Sequence, residues 1–393
     1  MTVIDQRRSG YFGEDDCDLA QFSALVEQNP DRSIAPHADD AQHNVPIYDV
    51  QRLEAVLWDP GSRRGLMAEW AEVLQSGPGV LVLKKACRDL EVIDAATKLF
   101  DGIIATEKQN NGGGADHFAT AGANDRIWNS LQKLCEASPE VFLRYFANPA
   151  IDAVCEAWLG PNYQMTAQVN LVHPGGQAQQ AHRDYHLGFQ TADICASYPA
   201  HVHDLSPVLT LQGAIAHCDM SIESGPTKLL PFSQLYRPGY VAWHRPEFRA
   251  YFEENCIQLP LEKGDAVFFN PALFHAAGAN LTADIHRMVN LLQVSSAFGR
   301  AMESIDRAKM CRLLYPHAKA AQANGTIEQA GLRAAISSAA EGYSFPTNLD
   351  RDPPSGGLAP ETQAQLFVRA LSEAMPPAQF EAALDAQMER RLA

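Results

Sequence analysis

Nowhere does the chain hold 18 consecutive apolar residues, so no membrane-spanning helix is expected. Its first residues, Met1-Thr2-Val3-Ile4-Asp5, lack a basic start followed by an apolar stretch, and no secretory leader is expected. The cysteines never pair as Cys-x-x-Cys. Cys17, Cys87, Cys135, Cys155, Cys195, Cys218, Cys256 and Cys311 are scattered, which excludes zinc-ribbon and thioredoxin-type readings. Reduced, buried thiols in a cytoplasmic protein are the expectation. Basic residues are in deficit, with Lys+Arg 31 against Asp+Glu 47 and a formal net charge of −16. That balance argues against nucleic acid and anionic membranes as partners, and leaves room for a local basic pocket that takes a small anion. Gly112-Gly113-Gly114 is followed by no Gly-Lys-Ser/Thr, so it is not a phosphate loop. No internal repeat is visible.

What is present is an ordinary globular mix of 393 residues, enough for two or three small domains or one large one with elaborations. Residues 1–48 are polar and punctuated by Pro30, Pro36 and Pro46, and read as an irregular arm. From 50 to 75 the apolar spacing is helical, with a break at Asp59-Pro60-Gly61. Val80-Leu81-Val82-Leu83 reads as a buried strand. Helices are expected at 89–108, 130–136 and 139–159, with a glycine-rich loop over 110–124. The pattern changes at Gly160-Pro161. Short strand-like runs follow at 164–172, 208–217, 227–231, 257–261, 266–269 and 288–295. Many short strands at this spacing predict a closed or double-sheet β architecture. Helical composition returns at 303–314, 327–340 and 361–391. The expected architecture is a mainly β core with α-helical flanks. An arm (1–48) precedes a body with N-terminal helices (49–300, core 160–298), and a helical C-terminal extension follows (301–393).

Three features of the β region belong together. In His182-Arg183-Asp184, strand alternation puts the imidazole and the carboxylate on one face, where both can bind one divalent metal. Far downstream, His275 offers a second imidazole. Arg287 follows, beside the apolar Met288, Val289, Leu291 and Leu292. An arginine in such a run needs an anion, and its fork suits a carboxylate. Two histidines and one carboxylate leave about three open positions on an octahedral Fe(II). A bidentate 2-oxo acid can take two and O2 the last, with Arg287 holding the far carboxylate of the oxo acid. His-x-Asp alone is weak. It occurs three times, and His37-Ala38-Asp39 and His217-Cys218-Asp219 are decoys without a matching distal pair.

Between these features, Glu223-Ser224-Gly225-Pro226-Thr227-Lys228-Leu229-Leu230-Pro231-Phe232-Ser233-Gln234 resembles the "NG-x-x-x-x-x-PGSH" segment of the phytanoyl-CoA dioxygenase family. Gly264-Asp265, His275, Gly278, Asn280 and Arg287 resemble that family's closing block. The resemblance covers about 160–298 and implies a double-stranded β-helix, a cupin-like jelly roll with iron at its mouth. It implies that His182, Asp184 and His275 ligate Fe(II) and that Arg287 anchors 2-oxoglutarate. Gln168 and Gln212 fall where relatives line the cosubstrate, and are candidate contacts to it. Two positions depart from the family pattern: Ala277, where relatives often carry Ser, and Gln234, where PGSH ends in His. Relatives that halogenate replace the carboxylate ligand by a small residue, so Asp184 implies hydroxylation or desaturation.

The expected activity is therefore Fe(II)-, 2-oxoglutarate- and O2-dependent hydroxylation of a small molecule, with release of succinate and CO2. Two alternatives stay open: a cupin-like metal-dependent isomerase or hydrolase that does not use 2-oxoglutarate, and a non-catalytic binding module. A homo-oligomer is possible. Tyr185 and His186, directly after the metal motif, are candidates to support it or to meet substrate. The segment 342–352 is either a cover for the site or a connector.

Overall fold

The computed structural model describes residues 10–28, 32–111, 123–354 and 356–392. Most of the expected glycine-rich loop, 112–122, lies outside the described residues. In chain order the strands are β1 (Asp40–Gln42), β2 (Val45–Asp49), β3 (Val80–Lys84), β4 (Asn124–Ile127) and β5 (Gln164–Val172). They continue with β6 (Thr210–Ala216), β7 (Lys228–Leu230), β8 (Ala266–Phe269), β9 (Phe274–Ala276) and β10 (Arg287–Ser295). Eight form the major sheet, in the order β1-β2-β3-β8-β6-β10-β5-β4. The minor sheet is β9 paired with β7. It is widened by bridges His182↔His275, Leu229↔Ile257 and Met220↔Leu261. The two sheets face each other as a double-stranded β-helix.

Strand alternation explains why the central strands are apolar throughout. Leu81 and Leu83 of β3, Leu211 and Ile215 of β6, and Ala266 and Phe268 of β8 enter the large core beneath the helices. The alternate residues Val80, Val82, Ala214, Val267 and Phe269 enter a second core between the sheets. A strand buried on both faces reads as a continuous apolar run.

Helix boundaries follow caps and prolines. Asp59 Oδ2 accepts from Ser62 N–H at 2.8 Å, and Pro60 sits in the first turn, so Glu54–Trp58 ends and Pro60–Gln75 begins there. The expected helix over 139–159 is two, Pro139–Phe146 and Pro149–Leu159. Asn148 caps the second, its Oδ1 accepting from Ala150 and Ile151 N–H. Pro377 likewise splits 361–391 into Gln363–Ser372 and Pro377–Arg391. These C-terminal helices pack on the helix-side core: Leu314, Tyr315, Phe367 and Phe380 share it with Phe142 and Leu143.

Besides these two split helices, the structure differs from the sequence reading in three places. The stretch 1–48, expected to be irregular, carries a helix (Leu19–Val26) and most of the sheet edge β1–β2. Ile47 pairs in parallel with Val82, a non-local partner that no local window reveals. Phe22 is fully buried behind the minor sheet against Tyr236, Phe248 and Phe274. The run 257–261 contributes isolated bridges instead of a strand. Short helices at Ala192–Ala196, Ala200–Leu205, Gly239–Ala242 and Pro246–Asn255 interrupt the region read as strands. Among the described residues no helix is long and apolar enough to cross a membrane. All eight cysteines are free, and burial pushes the Cys87, Cys135 and Cys311 thiols up to about 12.

Candidate active site

Backbone pairing brings the two distant histidines together. His182 N–H donates to the His275 carbonyl at 3.0 Å, and His275 N–H returns the bond to the His182 carbonyl at 3.1 Å. They are thus direct cross-strand neighbours, with ring centroids 4.5 Å apart. Asp184 N–H donates to the Pro271 carbonyl at 2.9 Å, which holds the next position in line. Arg183 is buried beside them. Its Nη2 donates to the Ser233 and Tyr236 carbonyls at 2.6 and 2.8 Å, and its guanidinium lies 5.0 Å from the Tyr240 ring and 5.2 Å from the Phe274 ring. Burial lowers its pKa to about 10. The middle residue of the motif thereby fastens His182 and Asp184 to the 233–239 turn. Glycine is required at 239, because a Cβ there would lie 1.9 Å from Arg183 Cζ.

The three side chains converge. One ligand atom each of His182, Asp184 and His275 lies within 4.8 Å of the others. His182 Nε2 is 3.7 Å from Asp184 Oδ1, and His275 Nε2 is 3.5 Å from Asp184 Oδ2. Those separations are too long for good hydrogen bonds and suit three donors around one ion. Each imidazole turns its other nitrogen to a backbone carbonyl, His182 Nδ1 to Gln180 O at 2.8 Å and His275 Nδ1 to Leu273 O at 2.9 Å. With Nδ1–H donating there, both Nε2 lone pairs face the centre. Gln212 Nε2 donates to Asp184 Oδ2 at 2.5 Å and fixes the carboxylate. Burial raises the Asp184 carboxyl, but His182, His275 and Gln212 outweigh it and hold its pKa at about 2. Burial, then the neighbouring His275, lowers the His182 pKa. The donor set, two imidazoles and one ionised carboxylate, fits a divalent transition metal.

The cluster lines one wall of a cavity of about 610 Å³ that also contains Arg287. Arg287 is 4 % exposed. Its Nη1 donates only to carbonyls, Ser224 O at 3.1 Å and Gly278 O at 3.3 Å. Burial pushes its pKa down to about 10, and no carboxylate among the described residues pairs with it. Gly225 makes this seat possible: its φ is +76°, and a Cβ would lie 2.2 Å from Ala279 O. A buried guanidinium that opens on a cavity and is matched only by carbonyl dipoles is a site for an anion.

The remaining candidates fall into place. Gln168 lines the cavity, with Oε1 accepting from Arg126 Nη1 at 2.9 Å and Nε2 facing Met302 Sδ at 3.3 Å. Tyr185 donates its hydroxyl to the same sulfur, and His186 Nε2 lies 3.3 Å from Thr210 Oγ1. Both residues have positive φ, +58° and +49°, so the chain turns sharply directly after Asp184. The decoys are accounted for. His37 Nδ1 binds Glu69 Oε2 at 2.5 Å, and His217 is buried between Thr97 Oγ1 and Tyr145 OH at 2.8 Å each. Gln234 Nε2 donates to Gly77 O at 2.8 Å. None of 342–352 lines the cavity among the described residues. Arg126, Asn170, Gln293 and Met302 line it and were missed. The alternation Arg287, Val289, Leu291, Gln293 along β10 was the available signal for Gln293.

A jelly roll that gathers two imidazoles and a carboxylate beside a buried arginine has the layout of a metal-dependent oxygenase of that fold. The family model for phytanoyl-CoA dioxygenase (PhyH) matches residues 77–289, more than half the chain. This chain belongs to the phytanoyl-CoA dioxygenase family, whose enzymes use Fe(II), 2-oxoglutarate and O2. Among curated proteins it is similar to the dioxygenase andF of Emericella variicolor, 26% identical over 147 residues, covering 36% of this chain and 45% of that one. It is also similar to the dioxygenase cdmD of Talaromyces verruculosus, 30% identical over 139 residues, covering 34% and 41%. The matches thus span less than half the length of these relatives. Among solved structures, the non-heme alpha-ketoglutarate-dependent epimerase SnoN from nogalamycin biosynthesis aligns with a TM-score of 0.42 at 19% identity, over 61% of this chain and 82% of that chain. HygX from Streptomyces hygroscopicus, with nickel and 2-oxoglutarate bound, aligns with a TM-score of 0.38 at 14% identity, over 58% and 87%.

Proposed function

We propose that this protein is an Fe(II)- and 2-oxoglutarate-dependent oxygenase that hydroxylates a small-molecule substrate, releasing succinate and CO2. The observation that carries the reading is one cavity with a two-histidine, one-carboxylate cluster on its wall and a buried arginine that has no acidic partner among the described residues. His182, Asp184 and His275 would hold the iron through Nε2, a carboxylate oxygen and Nε2. Arg287 would bind the distal carboxylate of 2-oxoglutarate, which supplies the charge that its burial demands. When bound, iron with O2 and the oxo acid would supply the oxidising power; the protein supplies placement and the cavity wall that shields the reacting groups. Gln212 already spends its N–H on Asp184, so we assign it to orienting that carboxylate, while Gln168 shapes the wall beside Arg126. A metal-dependent hydrolase or isomerase would need the triad but would leave Arg287 without a purpose.

The test is succinate formation by purified protein with Fe(II), ascorbate, O2 and 2-oxoglutarate, beside Asp184→Ala. Turnover that vanishes in the variant supports the reading. If folded, iron-loaded protein neither forms succinate nor shows an anaerobic absorption band with 2-oxoglutarate, the reading fails.

A further inference from the structure

The lining of the cavity differs on the two sides of β10. Toward β6 and β8 the lining residues Ala214, Val267 and Phe269 are apolar, and the one amide there, Gln212, is turned to Asp184. Toward β5 and β4 they are polar: Gln168 opposite Leu291, Asn170 opposite Val289, and Arg126 opposite Asn170. Gln293, opposite Gln212, closes this polar wing at the end nearest the metal cluster. Asn170 and Gln293 are 5 % and 7 % exposed, and the carbonyl oxygens of Asn170, Gln212 and Gln293 are buried with no hydrogen-bond partner among the described residues. Buried amides in folded proteins find partners, so a group of unsatisfied ones at a cavity wall calls for a ligand to complete them.

The two wings then divide the work. An oxo acid reaching from the cluster to Arg287 needs only the arginine and a snug apolar channel. Gln293 pairs with Gln212 toward the other end of β10 from Arg287, and an ionised carboxylate at Arg287 only accepts, so the amide oxygens of Asn170 and Gln293 still lack a donor. We infer that this polar wing receives a neutral, hydroxyl-bearing substrate, read by Asn170 and Gln293. The inference rests on the oxygenase reading and names the substrate class for that same site. A primary amide offers a donor and an acceptor, and its terminal torsion is soft, so a small rotation presents either end. A hydroxyl group likewise donates and accepts and can pair with both. Gln212 is locked by Asp184, so its oxygen is a pure acceptor next to the metal cluster. A plain aliphatic chain in the wing would strand all three oxygens. The penalty is roughly 10- to 100-fold in affinity for each.

The experiment is an anaerobic titration of the Fe(II)- and 2-oxoglutarate-loaded protein with myo-inositol, methyl glucoside and octanoate. It is read by perturbation of the absorption band and by calorimetry on metal-free protein. The hydroxylated rings should bind in preference to octanoate. Asn170→Leu and Gln293→Met should each weaken ring binding by about tenfold or more and strengthen octanoate binding. Melting curves check folding, and Asn170→Ala and Gln293→Ala replace any variant that unfolds. Tighter binding of octanoate by the natural protein, no binding of either ring, or ring affinity indifferent to both substitutions overturns the inference. Absence of the absorption band itself is failure of the oxygenase reading, which the calorimetry does not share.

Discussion

Replacing Arg287 by Leu separates the cost of burying a charge from the gain of binding an anion. In the protein alone the guanidinium is 4 % exposed, burial has lowered its pKa to about 10, and two carbonyls are its only hydrogen-bond partners among the described residues. Leu relieves the buried charge but strands the Ser224 and Gly278 oxygens. These terms are of similar size, so the stability of the empty protein should move by no more than roughly 1 kcal/mol. With 2-oxoglutarate the balance is one-sided. A forked pair of charge-assisted hydrogen bonds at about 1.5–3 kcal/mol each is lost, so affinity falls by about 3 kcal/mol or more, over roughly 100-fold. Iron binding should persist, because the Arg287 hydrogen bonds go to Ser224 and Gly278 and to none of the three ligands. Thermal melts with and without 2-oxoglutarate read both quantities. The variant should melt near the natural protein when empty and lose the ligand-induced rise. An oxo-acid affinity within about threefold of the natural protein would refute the reasoning.

Three other outcomes are expected. Gln212→Leu removes the donor that fixes Asp184, and metal titration should show affinity down by roughly 10- to 100-fold; no change would mean that the carboxylate is oriented by the imidazoles alone. Gly239→Ala drives a methyl into the Arg183 guanidinium and should cost about 3 kcal/mol by urea unfolding, whereas a neutral result would show that the 233–239 turn yields freely. His217, buried between two hydroxyls, has its pKa lowered by burial to about 3, below the ~6.5 of a free imidazole. The unfolded chain therefore takes the extra proton. Its contribution is intact above about pH 6.5 and falls by ~1.4 kcal/mol per pH unit as the pH drops toward 3. His217→Gln should remove one proton's worth of that slope in urea midpoints measured across the range.

Much of the β core was legible because its signals are local. The runs at 164–172 and 266–269 are bounded by turn residues and coincide with β5 and β8. The convergence of these side chains on one cavity was legible because period-two alternation ties His182 to Asp184 and the family resemblance points to His275 and Arg287. The sheet edge β1–β2 was not, since Val45, Ile47 and Tyr48 sit in a polar, proline-marked stretch and are stabilised by pairing with β3. Helices also broke at the Asn148 cap and at Pro377, a first-turn proline, inside stretches whose apolar spacing continues across the break.

By itself the sequence determined the chemistry on offer: which residues can ligate a metal, which cation can hold an anion, and which segments alternate as strands. These depend on residue type and on distances of a few positions. Tertiary structure alone decided what those residues do for one another. Pairing His182 with His275 across the minor sheet, turning both Nδ1 atoms to carbonyls, and spending the Gln212 amide on Asp184 are all non-local choices. So is the gathering of Val267 and Phe269 of β8 and of Gln168 and Asn170 of β5 around one cavity. The reason is that register between strands far apart in the chain is set by burial on two sheet faces at once, a quantity that no local window contains.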